Sequence, residues 1–322
     1  MLGYFLTEHE PVADAKQLTP GTPVAAVTAP EALEQTGLVE SIRFGVADRD
    51  SVIYCEPTPG TPGSPYYQVK RCSTGEFCNG GSLYTYSLQA APNPSETLRR
   101  AGECVGKSYR GLRSFIGDDF VYECATGSSM LDYMKNHTGV GTHLQTPLKV
   151  TLGTLIWFAI GQDCIGEGKT PLGKVNPELY ELTHHGIRIE GQQMIHFAAC
   201  RTPDGSNQIK CDSVDTFRYM TSEQGYCGEV KYPSINAEAR LRARNLAIYV
   251  LTHRSEHGTY NLLTNNCEHF CHYCMEGNKT SPQVKDEAKN ALKLALRVLP
   301  GMVLPAGLLT KISVMVLGAA LK

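Results

Sequence analysis

The chain has 322 residues, enough for two domains of ordinary size, and 42% of them are hydrophobic, enough for a packed core. The formal net charge of −2 gives no overall argument for nucleic-acid binding, and twelve cysteines over this length do not make a short disulfide-dense domain. The opening "MLGYFLTEHEPVADAK" has too short an apolar run and no basic flank for a signal peptide. We therefore expect a cytoplasmic protein and treat residues 1–16 as an N-terminal tail.

Three pairs of similar segments occur in the same order along the chain. Residues 19–27 resemble 151–159, residues 43–60 resemble 184–205, and residues 109–127 resemble 260–277. The spacing between partners grows from 132 to 150 residues, as insertions in surface loops would produce. The sequence therefore predicts a tandem duplication, with one copy over 17–130, a linker over 131–148 and a second copy over 149–280.

The second copy shows a mixture of strand and helix patterns. Its predicted elements, in chain order, are a buried strand at 152–160, a loop at 162–177, two hairpin strands around Glu190 and Gly191, a loop and strand at 211–220, an amphipathic helix capped by Ser234 or Asn236, and a short helix capped by Asn265 or Asn266 and ended by Gly277. Strands with a few helices, rather than a strict alternation of the two, indicate the α+β class.

The last segment, residues 281–322, differs in composition from the rest of the chain. It is mostly apolar from Leu292 to Leu321 but carries Lys293, Arg297 and Lys311, and no run of 18 clean apolar residues occurs. One interpretation is a helix that covers an exposed face of the core. The other, which we favour, is a helical tail that associates with a membrane while its cations reach the head groups.

The short helix begins with a crowded sequence, "NNCEHFCHYCMEG", which contains three cysteines. Cys267 follows the predicted asparagine cap, where free N–H groups and the helix dipole lower a thiol pKa from about 8.5 towards neutrality. Cys271 and Cys274 lie four and seven residues later on the same face, a spacing typical of core packing. Cys267 is therefore the candidate nucleophile of the three.

Metal-binding interpretations of the same cysteines are weaker. The C-x3-C-x2-C spacing resembles the cluster loop of radical-SAM enzymes, but the large barrel that follows such a loop has no room after Cys274. For zinc, Cys267 and Cys271 lack a second pair of ligands at a suitable spacing. We therefore expect neither a metal nor an organic cofactor.

A cysteine nucleophile needs a base and a group that orients the base. His184 and His196 lie twelve residues apart on the two hairpin strands, so both imidazoles can occupy one face of the sheet. A structural, hydrogen-bonded role is the ordinary alternative for each histidine taken alone. Together with Cys267, the pair indicates a catalytic set.

These motifs resemble the lecithin:retinol acyltransferase domain family, which includes small phospholipase/acyltransferase tumour suppressors. The resemblance rests on "HHGIRIEGQQMIH" and "LLTNNCEHF" and covers roughly residues 149–280. It implies a permuted papain-like fold of the NlpC type, an antiparallel sheet with helices, because the histidines precede the cysteine. It also implies His184 as base, His196 as third polar member and Cys267 as nucleophile. His185 departs from the Trp or Tyr that usually follows the base.

The resemblance implies a reaction as well as a fold. We expect a thiol acyltransferase or phospholipase A that takes acyl chains from glycerophospholipids through a thioester on Cys267 and passes them to water, an amine or an alcohol. The first copy has Arg43, Tyr54 and Gly117 at the three positions and is expected to be inactive. The alternatives are a cysteine amidase or peptidase of the same fold and a non-catalytic interaction protein. No nucleic-acid partner is expected.

Overall fold

The computed structural model describes most of the chain between residues 2 and 278. The described residues are 2–28, 42–57, 66–88, 93–110, 117–151, 179–198, 208–219, 227–233, 235–252, 257 and 265–278. The predicted strand at 152–160, the predicted loop at 162–177 and the apolar tail at 281–322 lie outside them. No helix among the described residues is long and apolar enough to cross a membrane.

The first half of the chain forms a seven-stranded antiparallel sheet. Its elements are α1 (Leu2–Thr7), β1 (His9–Pro11), a 3₁₀ turn (Ala15–Gln17), β2 (Pro23–Val27), β3 (Ile42–Asp48), β4 (Ser51–Pro57), β5 (Tyr66–Ser73), α2 (Thr74–Cys78), β6 (Ser82–Tyr86), α3 (Pro94–Cys104), β7 (Ser108–Arg110), α4 (Gly117–Thr126) and α5 (Met130–Asn136). The strand order is β1-β6-β2-β3-β4-β5-β7.

The second half forms a five-stranded antiparallel sheet. Its elements are β8 (His143–Thr151), β9 (Leu179–Ile189), β10 (Gln193–Ala198), β11 (Gln208–Ser213), α6 (Val214–Tyr219), β12 (Gly228–Glu229), α7 (Ala237–Thr252) and α8 (Cys267–Glu276). The strand order is β11-β10-β9-β8-β12. Two antiparallel sheets with helices confirm the α+β class.

The hairpin of β9 and β10 follows from its sequence. Ile187 and Ile195 pair across it and are both buried, as alternation of apolar residues predicts. Gly191 (φ 68°) and Gln192 (φ 58°) adopt the left-handed conformation that a tight turn requires, which glycine accepts without strain. The turn fixes the register in which His196 pairs with Gly186.

One hydrophobic core is shared by both sheets. It contains side chains from β2, β3 and β4, from β9, β10 and β11, and from the helices α4, α5, α7 and α8. The opposite face of each sheet carries a smaller cluster, centred on Phe77 of α2 in the first half and on Phe217 of α6 in the second. The two halves therefore bury one face of each sheet in common.

A buried ion cluster lies in this shared region. Arg244 of α7 is fully buried and pairs with Asp118 and Asp119 at the start of α4 and with Glu190 at the hairpin turn. Asn245 adds a hydrogen bond to Asp119 at 2.9 Å. A buried guanidinium is tolerated only when charged partners satisfy it, so these contacts bind the two halves to each other.

The first residues of the chain pack on the same turn. Leu2 and Phe5 are buried in the shared core, and the backbone N–H of Leu2 donates to Asp118 at 3.0 Å. A Cβ at Gly3 would lie 1.9 Å from the carbonyl oxygen of Glu190, so only glycine allows this approach. The segment that the sequence sets apart as a tail thus contains α1 and β1 and contacts the hairpin turn.

Several local predictions are confirmed and one is wrong. The two hairpin strands, the long helix beginning after Asn236 and the short helix between Asn266 and Gly277 all form as expected. Residues 214–219 were expected in a loop and strand but form α6, because Ser213 turns the chain out of β11 and its hydroxyl accepts from the N–H of Thr216 at 2.9 Å. The predicted linker over 131–148 contains most of α5 and of β8.

The two sheets share a strand order. The run β6-β2-β3-β4-β5 in the first half matches β12-β8-β9-β10-β11 in the second. Tyr54 pairs with both Gly45 and Lys70, and His196 pairs with both Gly186 and Lys210. The strands β2 and β8 do not follow the predicted alignment. Val24 pairs with Gly45 and Leu144 pairs with Gly186, so these equivalent residues are 120 positions apart. The sequence comparison instead aligns residues 19–27 with 151–159, which are 132 positions apart.

Candidate active site

Cys267 is the first residue of α8. The Asn266 side chain accepts from the backbone N–H of His269 at 2.9 Å, and the His269 ring in turn meets the Asn266 backbone N–H, which completes a capping box. At the other end, Gly277 adopts φ 78° and its N–H bonds to Tyr273. The cap leaves Cys267 in the first turn, where the backbone N–H groups and the helix dipole favour an anion.

The three cysteines of α8 have different surroundings. Cys271 and Cys274 are 0% and 1% exposed, and burial raises the pKa of both thiols well above the ordinary value. Cys267 is 5% exposed and lies at the helix start. Cys271 and Cys274 are therefore packing residues, as their spacing predicts, and the described residues contain no disulfide.

The structure brings His184 and His196 together. The Nε2 of His184 lies 2.9 Å from the Nδ1 of His196, and the Nε2 of His196 lies 2.8 Å from the carboxylate of Asp212 on β11. Phe217 of α6 stacks on His184, with ring centroids 5.1 Å apart, and Lys210 contacts Asp212 at 3.0 Å. The result is a hydrogen-bonded row of three side chains on three neighbouring strands.

Burial sets the protonation of this row. It lowers the pKa of His184 well below the ordinary value, and the neighbouring His196 adds to the effect. Burial also lowers the pKa of His196, although Asp212 opposes the shift. Burial would raise the pKa of Asp212, but hydrogen bonds from His196 and Lys210 outweigh it and lower that pKa to about 2. Near neutrality both imidazoles are neutral and the carboxylate is ionised.

The histidine pair and α8 lie on opposite faces of the sheet. The ring of His257 lies 5.4 Å from that of Phe197 on β10 and 5.6 Å from that of Phe270 on α8, measured between centroids. The face of the sheet that carries Phe197 therefore packs against α8. His196 precedes Phe197 and therefore points to the other face, where Phe217 packs. Among the described residues no hydrogen bond joins Cys267 to His184. The structure thus assembles two members of the predicted catalytic set and leaves the third across the strands.

A second group of histidines lies on the α8 face. The Nε2 of His143 lies 2.8 Å from the Nδ1 of His185, and its Nδ1 lies 2.6 Å from the hydroxyl of Tyr232. Tyr232 also contacts His272 of α8 at 3.4 Å. Burial lowers the pKa of His143 well below the ordinary value, and His185 and His272 add to this. His185, which departs from the expected aromatic residue, therefore belongs to a polar network.

Sequence reasoning missed Asp212, Phe217 and His143. The partner of a histidine on a neighbouring strand depends on the register of β10 with β11, in which Met194 pairs with Asp212. The nine residues between these strands include the turn signal Pro203-Asp204-Gly205, but a connection of this length does not set the register. The sequence "KCDS" places Asp212 two residues after Lys210, and this pair of opposite charges was a weak signal of a polar site.

The first half carries other side chains at the same sheet positions. Arg43 lies two residues before Gly45, as His184 lies before Gly186, and its guanidinium bonds to the Phe77 carbonyl oxygen at 3.4 Å. Tyr54 donates to Glu56 at 2.9 Å. Gly117 begins α4, where Cys267 begins α8. Among these residues the first half has neither an imidazole nor a thiol.

The described residues contain no group of three or more His, Cys, Asp and Glu side chains arranged to hold a metal ion. The fold and the site instead define a class, an α+β domain with paired histidines on a sheet and a cysteine at a capped helix start. Residues 173–280 match the family model described as lecithin retinol acyltransferase, so the chain contains a domain of that family. The family is one of enzymes of the acyltransferase or phospholipase type. No curated protein matches the chain.

Proposed function

We propose that this protein is a thiol acyltransferase or phospholipase A that removes acyl chains from glycerophospholipids. The observation that carries the proposal is the family match over 173–280, which spans His184, His196 and Cys267. The capped helix start at Cys267 and the hydrogen bond between the two histidines support it.

The proposed reaction has two steps. The Cys267 thiol gives its proton to His184, and the sulfur attacks the ester carbonyl to form a tetrahedral intermediate, whose oxyanion the positive end of the helix dipole at Cys267 can stabilise. The carbon–oxygen bond then breaks, the leaving alcohol takes the proton from His184, and a thioester remains on Cys267. Water, an amine or an alcohol attacks the thioester and releases the acyl group and the thiol.

The protonation state of His184 suits this role. Burial keeps the pKa of His184 well below the ordinary value, so the ring is neutral near pH 7 and has a lone pair for the thiol proton, while the same burial makes it a weaker base than a solvated imidazole. Because His184 points to the face of the sheet that Phe217 covers and α8 packs on the other face, the reaction requires Cys267 and His184 to come together when substrate binds.

The rest of the chain is assigned by the same proposal. We take the first half as a duplicated copy without catalytic residues, because its strand order and register follow those of the second. We take the apolar segment 281–322 as the part that associates with a cytoplasmic membrane surface, where a phospholipid acyl donor lies. Neither assignment needs a metal or an organic cofactor.

The test is to trap the acyl-enzyme. The full chain is incubated with phosphatidylcholine vesicles, and intact-mass and peptide analysis locate any acyl adduct. We expect an adduct on Cys267 that is lost in Cys267→Ala and kept in Cys227→Ala, whose thiol is partly buried and lies outside α8. Cleavage of peptide amides without any lipid adduct would instead support the amidase or peptidase alternative.

A non-catalytic interaction protein is a second candidate. It is favoured by one observation, the separation of Cys267 from the histidine pair by the sheet. In that case Cys267→Ala leaves lipid and amide turnover unchanged at background, and neither substrate modifies the thiol.

A further inference from the structure

Asp212 ends the row of hydrogen bonds that begins at His184. His196 is fully buried between them, with its Nδ1 2.9 Å from His184 and its Nε2 2.8 Å from Asp212. Both contacts use ring nitrogens, and each neutral imidazole has only one N–H. The direction of every hydrogen bond in the row therefore depends on which nitrogen carries the proton.

The carboxylate decides that direction. An ionised Asp212 can only accept, so the Nε2 of His196 must be the N–H donor. The Nδ1 of His196 then has a lone pair and accepts from the Nε2–H of His184. What remains on His184 is the lone pair of Nδ1, the atom through which this ring can take a proton.

We propose that Asp212 is a positioning residue that fixes the tautomers of His196 and His184 and so makes the Nδ1 of His184 the basic atom of the site. The catalytic part of this inference rests on the proposed function, whereas the tautomers do not. Asp212 contacts neither Cys267 nor substrate in this assignment, and it acts through the two rings.

Lys210 holds the carboxylate in place. Its ammonium lies 3.0 Å from the same oxygen of Asp212 that His196 contacts, and the two side chains are only about one-fifth exposed. Lys210 also pairs with His196 across β10 and β11. The charged side chains around the row are therefore those of Asp212 and Lys210. His185 is the other titratable residue that acts on His184.

The first half also has a carboxylate near these positions, but on a different strand: Glu56 lies on β4 with Tyr54, whereas Asp212 lies on β11 with Lys210. Lys70, at the position of Lys210, contacts Glu56 at 2.5 Å, and the hydroxyl of Tyr54, at the position of His196, donates to Glu56 at 2.9 Å. A carboxylate held by a lysine and bound by the central side chain thus occurs in both sheets. Cys72 of β5, which pairs with Val52, holds the position that Asp212 of β11 holds opposite Met194, so the row that ends at Asp212 belongs to the second half.

The experiment measures the imidazole protons of the full chain by nuclear magnetic resonance with nitrogen-15 labelling, without substrate. We expect wild type at neutral pH to show slowly exchanging N–H protons on Nε2 of both His184 and His196. Asp212→Ala should remove the protected proton of His196 and weaken that of His184, while Asp212→Asn, which keeps an acceptor oxygen, should restore them. Asp215→Ala, which removes an exposed acid of α6, is the matched control.

Acylation of Cys267 is the second readout. With the proposed function in place, Asp212→Ala should slow acylation by about 10²-fold, within the range that a positioned general base contributes, and Asp212→Asn should recover part of the loss. A proton found on the Nδ1 of His196 in the wild-type protein would overturn the inference. This measurement does not depend on the folding of any variant. Expected tautomers without any acylation in wild type would reject the proposed function and leave the positioning role standing.

Discussion

The guanidinium of Arg244 donates two hydrogen bonds to the carboxylate of Glu190, at 3.0 and 2.7 Å. Arg244 belongs to the long helix α7, and Glu190 directly follows β9, the strand that carries His184. The same guanidinium reaches Asp118 at 2.6 Å in the first half. The turn of the histidine hairpin is thus held by one side chain that also holds the other half of the molecule.

Replacing Arg244 should destabilise the fold strongly. Arg244→Met leaves three buried acids without their cation, and breaking a buried pair by removing one partner costs about 3–5 kcal/mol. Urea unfolding measures the change in the free energy of unfolding. Arg242→Met, on the exposed side of the same helix, should change it by less than about 0.5 kcal/mol. Equal effects of the two variants would show that the ion cluster contributes nothing specific.

The contact of α1 with the hairpin turn is testable by adding one methyl group. Gly3→Ala places a Cβ against the carbonyl oxygen of Glu190, so the helix or the turn must move, and overpacking of this kind costs about 1–3 kcal/mol. Thermal unfolding should show a lower midpoint, and amide hydrogen exchange should show faster exchange in β9 and β10. Gly75→Ala meets no atom within 4 Å and serves as the control. Unchanged exchange in Gly3→Ala would contradict the contact.

The asparagine cap should affect both stability and thiol reactivity. Asn266→Ala removes the acceptor for the His269 N–H and should cost about 1 kcal/mol of stability. Because the cap orders the helix start that favours a thiolate, alkylation of Cys267 should also become slower. Peptide mass analysis after limited alkylation measures the rate at each cysteine. Ser129→Ala removes the cap of α5 and should lower stability without changing the Cys267 rate.

Cysteine labelling in the native state should be selective. The raised pKa values of Cys271 and Cys274 and their burial predict that neither thiol is alkylated near pH 7 while α8 is folded. In urea both should react at the rate of ordinary thiols. Labelling of Cys274 as fast as that of Cys267 in native buffer would contradict their assignment as packing residues.

Stability should fall as the pH is lowered through the histidine range. The pKa values of His143, His184 and His196 are lower in the folded protein than the ordinary value of about 6.5 that the unfolded chain has. Below pH 6.5 the unfolded state therefore binds more protons, so acid favours unfolding. Each such group contributes a slope of at most about 1.4 kcal/mol per pH unit. A free energy of unfolding that stays constant between pH 7 and 5 would contradict this.

Local chemistry made α8 and the hairpin predictable from sequence. Asn266 and Gly277 are strong end signals for a helix, and the alternation around Ile187 with a Glu-Gly turn is a strong hairpin signal. The row from His184 to Asp212 was only half visible, because its last contact joins strands whose register no local residue determines. The helix α6 was missed because Val214 and Phe217 favour strands when read without their hydroxyl cap.

Arg244 shows a different limit of sequence reasoning. In "ARLRARNLAIY" it looks like one of several cations on an exposed helix face, and nothing nearby in sequence distinguishes it from Arg242. Its burial depends on acids contributed from positions 118, 119 and 190. The placement of Cys267 and His184 on opposite faces is likewise a tertiary result, since the motif spacing is the same whichever face α8 covers.

The start of α4 limits how the first half could change. Asp118 and Asp119 hold the second and third positions of that helix, which Glu268 and His269 hold in α8, and both acids bind Arg244. A cysteine introduced at Gly117 would lie next to Asp118, which Arg244 keeps ionised and whose negative charge disfavours a thiolate. Replacing Asp118 or Asp119 by a neutral residue would in turn remove an acidic partner of Arg244. A substitution at the start of α4 therefore also disturbs the ion cluster that holds the hairpin turn of the second half.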